Sequence, residues 1–78
     1  MNLVGRDLTV LGSADPSKVG RRGVVVLDTA RTLMIESDGR AVRVEKAGSL
    51  FEVSGASRPV AGSEVSGRLE DRLGVRAR

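Results

Sequence analysis

Between Gly23 and Lys46 the chain reads as three consecutive antiparallel strands. Val24 to Leu27 is a continuous apolar run, whereas Thr32 to Glu36 and Ala41 to Glu45 alternate. In the second segment Leu33 and Ile35 point one way, and Thr32, Met34 and Glu36 the other. In the third, Val42 and Val44 oppose Ala41, Arg43 and Glu45. Alternation with a period of two sets one face on a core and leaves the other in water. Asp38-Gly39 supplies the two positive-φ positions of a tight hairpin turn between the last two strands.

The same pattern continues on either side of this meander. Arg6 to Leu11 places Leu8 and Val10 on one face and Asp7 and Thr9 on the other. Gly12 to Ser17 concentrates turn formers and reads as a loop. Gly20 and Gly23 bracket Arg21-Arg22 where the chain enters the meander, which predicts a bulge or a sharp bend. Lys46 to Ser49 is a loop, and Leu50 to Ser54 is a further strand with Phe51 and Val53 on one face. Arg58-Pro59-Val60 is an edge or closing strand, because proline donates nothing to a ladder. Gly62 to Gly67 reads as one helical turn or a last short strand, Arg68 to Leu73 as a helical turn, and 74–78 as a frayed basic tail.

Short strands separated by turn signals predict an all-β fold. A seven-stranded sandwich is cramped at this length. A small, strongly bent antiparallel barrel of five to six strands, with short irregular or helical termini, fits better because closure removes exposed edges. The expected core is Leu8, Val10, Val24, Val26, Leu33, Ile35, Val42, Val44, Phe51 and Val53. A single domain spans 1–78, with its ordered part at 6–72.

Composition narrows the chemistry. A chain of 78 residues buries only about 60% of its unfolded surface, so its core is thin. Without cysteine there is neither a disulfide nor a thiolate metal site, and without histidine the usual general base is missing. Glu70-Asp71 lies on a charged terminal segment and reads as a solvated face. Asp28, Glu36 and Asp38 sit on strand ends and a turn rather than in a magnesium cage. Gly20-Arg21-Arg22-Gly23 precedes a strand and lacks the lysine of a phosphate-cradling loop. No catalytic residue, metal site or cofactor of this chain is expected. With no long apolar span and no signal-peptide layout, neither a membrane role nor export is expected, and a cytoplasmic location follows.

Charge points to a binding role. The 13 basic residues outnumber the 10 acidic ones, the pI is 10.6, and all but two of the basic residues are arginine. A GC-rich genome enriches arginine without any function. The guanidinium fork, however, also grips phosphate bidentately, and a basic surface favours a polyanion. The single aromatic, Phe51, offers no set of rings on which bases could stack. Candidate contacts to such a polyanion are Lys18, Arg21 and Arg22 before the meander, Arg31 in its first turn and Arg40 in its second. Lys46 just after it, and Arg68 and Arg72 near the C-terminus, complete the set. Scattered solubilising charge is the bland alternative for all of them.

An ordered set of motifs goes further. Leu3-Val4-Gly5 is followed by a strand, then by Ser13-Ala14-Asp15-Pro16 leading to Gly20. Next come the frame from Gly23 through Asp28-Thr29 and Thr32-Leu33 to Ile35, then Val44-Glu45-Lys46 and Phe51, and finally Gly62-Ser63 and Arg68-Leu69-Glu70-Asp71-Arg72. This sequence of motifs resembles archaeal ribonuclease P protein component 1, a family with a small Sm-like barrel related in shape to SH3 domains. Leu27, Ala30, Arg31, Glu45 and Leu69 depart from the family pattern, and Val65 fills its late leucine position. The resemblance implies a non-catalytic protein subunit of the ribonucleoprotein endonuclease that removes the 5′ leader from precursor tRNA. It implies as partners the ribonuclease P RNA, which is catalytic and expected to use magnesium, and a zinc-ribbon protein subunit. Precursor tRNA would be met indirectly. The alternative is a small Sm- or SH3-like protein-interaction module without an RNA partner.

Overall fold

β1 (Asp7–Gly12) lies near the middle of a single six-stranded antiparallel sheet of order β4-β3-β2-β1-β5-β6. The structure is a computed structural model that describes residues 3–66. The other strands are β2 (Arg22–Asp28), β3 (Thr32–Ser37), β4 (Arg40–Glu45), β5 (Leu50–Val53) and β6 (Val60–Ala61). The expected meander is therefore β2-β3-β4, and its Asp38-Gly39 turn has φ of 53° and 77° at the two residues, as a tight hairpin requires. β3 and β4 pair without interruption from Thr32↔Glu45 to Ser37↔Arg40. The proline-bearing segment forms β6, a two-residue edge strand on β5, and Gly62–Glu64 is a single 3-10 turn. The expected helical turn at Arg68 to Leu73 and the tail at 74–78 lie outside the described residues.

β1 and β2 are joined through a 3-10 turn at Pro16–Lys18, whose first turn is capped by Asp15 accepting from the Ser17 N–H at 3.0 Å. The sharp bend predicted between Gly20 and Gly23 is present. Gly20 has φ +88°, and a Cβ on Gly23 would lie 2.5 Å from the Glu36 carbonyl oxygen, so only glycine lets β2 cross β3 that closely.

Two register shifts bend the sheet, one between Val10 and Gly12 in β1 and one between Val25 and Leu27 in β2. The second corrects the expected core. Val25 pairs with Ile35 and is buried (1% exposed), whereas Val24 and Val26 are 40% and 45% exposed. A continuous apolar run has no alternation to fix its phase, so the pattern alone leaves the inward residue open. The extra residue at Val26 then reverses the phase. Leu27 and its partner Met34 sit on the outer side, and Asp28, opposite buried Leu33, turns inward.

The core holds Leu8, Val10, Leu33, Ile35, Val44, Phe51 and Val53 as expected, with Val42 packed at its margin. Leu3, Val25, Val60 and Val65 complete it. Fully buried side chains of this size contribute about 1.5–3 kcal/mol each. No ladder joins the edge strands β4 and β6, so the bent sheet is open. Gly62 donates to the Ser49 carbonyl at 2.8 Å, and a Cβ on Gly62 would collide with the Lys46 carbonyl oxygen. The Gly62 bond continues the β5–β6 pairing past Ala61, and Gly62 packs on Lys46 at the start of the β4–β5 turn.

Candidate nucleic-acid interface

At one end of the sheet, Arg21 just before β2, Arg22 at its start and Arg40 at the start of β4 line one groove of about 570 Å³. The bend at Gly20 brings the entry of β2 toward the β3–β4 hairpin, and the short Asp38-Gly39 turn places Arg40 beside it. All three arginines are exposed. No carboxylate among the described residues pairs with them. Ile35 and Val42 form part of the wall, and Ser37 and Asp38 provide polar groups at the rim. Each of the three guanidinium groups presents a planar pair of donors whose geometry suits phosphate.

The other candidates are placed elsewhere. Lys18 borders a smaller hollow with Asp15 and Glu45. Arg31 lies in the β2–β3 turn beside Glu45, Ala47 and Ser66. That turn is held by Thr29, whose hydroxyl accepts from the Thr32 N–H at 3.0 Å while its N–H donates to the Thr32 carbonyl at 2.9 Å. Arg68 and Arg72 lie outside the described residues. Asp28, Glu36 and Asp38 do not converge, and the described residues hold no cluster of acidic side chains suited to a metal ion.

Lys46 requires a correction. Expected on the surface as a phosphate contact, it is fully buried (0% exposed). Its ammonium donates to Asp28 Oδ1 at 2.6 Å, to the Val65 carbonyl at 2.7 Å and to the Thr29 carbonyl. Three donors and three acceptors leave nothing for an RNA phosphate. The physical reason is the β2 bulge, which turns Asp28 inward and gives an interior cation its counter-charge. The signal in the sequence is faint. Lys46 is one of two lysines among many arginines, followed by the small residues Ala47, Gly48 and Ser49, which let the chain close over it.

Beyond the groove, Arg58 and Glu64 form an exposed ion pair at 2.9 Å. The Arg58 hydrogen bond, helped by the Ala61 N–H, holds the Glu64 carboxyl below its usual range. The outer side of β2 carries Val24, Val26 and Leu27 as exposed apolar residues, a surface that the unbroken apolar run conceals by suggesting a core strand. Arg43, not among the candidates, also faces outward, opposite Met34.

Comparisons with known proteins agree with this architecture. Residues 1–75 match the family model described as ribonuclease P/MRP, subunit p29. The chain is 36% identical over 74 residues to ribonuclease P protein component 1 of Sulfurisphaera tokodaii, covering 92% of this chain and 96% of that protein. It is 43% identical over 76 residues to the protein of the same name from Hyperthermus butylicus, covering 92% of this chain and 68% of the relative. A solved structure described as Mth11, a homologue of the human RNase P protein Rpp29, superposes with a TM-score of 0.67 at 29% identity, covering 92% of this chain and 97% of that one. The six-stranded sheet, the bent register and the ordered motifs thus converge with the family match, and the chain belongs to the ribonuclease P/MRP subunit p29 family.

Proposed function

We propose that this subunit acts without catalytic chemistry of its own, by holding ribonuclease P RNA through its arginine groove. The observation that carries the reading is the convergence of Arg21, Arg22 and Arg40 on one recess without a carboxylate partner among the described residues. Guanidinium groups placed this way neutralise phosphates and fix the position of an RNA fold; they do not read a sequence. Hydrolysis of the 5′ leader of precursor tRNA then belongs to the RNA component with its magnesium, and this chain supports the RNA region that recognises tRNA.

A zinc-ribbon protein subunit is the proposed protein partner. The exposed apolar side of β2, with Val24, Val26 and Leu27 in one short run, supports a protein-covered surface separate from the groove. Reconstitution tests the proposal. With the RNA component and the zinc-ribbon subunit, this chain raises the rate of precursor tRNA cleavage, and alone it cleaves nothing. Cleavage that is no faster with the chain than without it, with every partner present, removes the reading.

A further inference from the structure

The groove at Arg21, Arg22 and Arg40 is a half-open recess. We propose that it is a site for one unpaired nucleotide, a bulged or loop residue turned out of its helix, rather than a seat for the backbone of a continuous duplex. This inference rests on the RNA-binding reading above and makes it more specific.

Three observations carry it. The recess of about 570 Å³ has the capacity of pockets that enclose small molecules, roughly 300–1,000 Å³. A duplex is a convex cylinder and meets flat or broad surfaces. Second, the wall is mixed, with the half-buried aliphatic Val42 beside the guanidinium groups. An apolar wall does nothing for a phosphate but suits the face of a base. Third, Asp38 stands at the same recess, and its side chain makes no hydrogen bond within the described residues. A carboxylate repels phosphate, whereas it accepts from the amino and ring N–H groups that an unpaired base presents on its edge.

The planar groups available for stacking are themselves limited. Phe51, the single aromatic residue of the chain, is fully buried in the core. A base entering the recess therefore stacks on an arginine plane, a platform that single-stranded RNA elements use alongside aromatic rings. Lysine would keep the charge and the attraction to phosphate but offers no plane. This difference separates a nucleotide site from a merely basic surface.

Titration of the full-length chain with two hairpin RNAs of equal length, one with a single bulged nucleotide and one fully paired, tests the inference. The bulged RNA is expected to bind about tenfold more tightly, within the range of one stacked base. In an Arg21→Lys, Arg22→Lys, Arg40→Lys variant that preference disappears, the bulged RNA losing about tenfold more affinity than the paired one. Equal affinities of the native chain for both RNAs, or an equal loss on both in the lysine variant, overturn the nucleotide site and leave the RNA-binding reading standing. Absence of binding to either RNA at low salt overturns both.

Discussion

Lys46 Nζ lies 2.6 Å from Asp28 Oδ1, and the two side chains are 0% and 7% exposed. This pair joins the end of β4 to the end of β2, and the same ammonium reaches the Val65 carbonyl beyond β6. One cation thus ties three parts of the chain together beneath the β4–β5 turn. Removing one partner leaves the other charge buried. Lys46→Ala is therefore expected to destabilise the domain by about 3–5 kcal/mol, read as a lower midpoint in urea denaturation. Replacing both, as Lys46→Met with Asp28→Leu, should recover much of that loss. A double variant as unstable as Lys46→Ala would show that the carbonyl contacts, and not the ion pair, dominate.

Gly62 meets the same corner through its missing side chain. Any Cβ there must displace the Lys46 backbone. Gly62→Ala is expected to cost about 3 kcal/mol, the upper part of the range for overpacking. Gly39→Ala, at a positive φ but with open space around it, should cost only about 1 kcal/mol. Thermal denaturation of the two variants checks the order, and a reversed order would contradict the close approach.

Truncating Phe51, fully buried and paired across to Val10 and Val60, should cost about 3–5 kcal/mol. For a domain of this size that approaches the whole of its stability. Phe51→Leu is the measurable substitute, expected to lower the denaturation midpoint clearly while the fold persists in circular dichroism.

The exposed pair Arg58–Glu64 gives a pH signature. Glu64 is held below its ordinary value of 4.5 chiefly by the Arg58 hydrogen bond. A carboxyl whose folded pKa is depressed contributes stability above its unfolded pKa and loses it as the pH falls through the folded value. Glu64→Gln should therefore be slightly less stable than the native chain at neutral pH and indistinguishable from it in acid. The effect is small because both groups face water. A difference that grows on acidification would contradict the assignment.

The sequence carries most of this fold, and the places where it misleads share one cause. Strict alternation in β3, β4 and β5 marks Leu33, Ile35, Val44, Phe51 and Val53 as core, and Asp38-Gly39 marks the β3–β4 hairpin. The run Val24 to Leu27 has no alternation, so the bulge at Val26 is invisible in it. Pairing with Ile35 buries Val25 and turns Val24 outward, and the extra residue at Val26 then turns Asp28 inward and so accompanies the burial of Lys46. Leu3, Val60 and Val65 escape notice because glycine and proline surround them in segments too short to show a period. Of the candidate contacts, Arg21, Arg22 and Arg40 are legible as basic residues at turns. Their convergence depends on the bend at Gly20, whose consequence only the folded chain displays.

Groove arginines without carboxylate partners among the described residues can be removed at little cost to the fold. An Arg21→Ala, Arg22→Ala, Arg40→Ala variant should denature within about 0.5 kcal/mol of the native chain per site. Its RNA affinity should fall, and the slope of log affinity against log salt should shrink by roughly 0.7–0.9 for each phosphate that is no longer neutralised. An unchanged slope would place the RNA-binding surface elsewhere on the chain.

The most direct test is precursor tRNA cleavage by the ribonuclease P RNA and the proposed zinc-ribbon subunit, supplied either with the native chain or with this triple alanine variant. The account predicts that the native chain accelerates cleavage and that the variant, folded and equally stable, gives little or no acceleration. Acceleration by the variant equal to that of the native chain would contradict it.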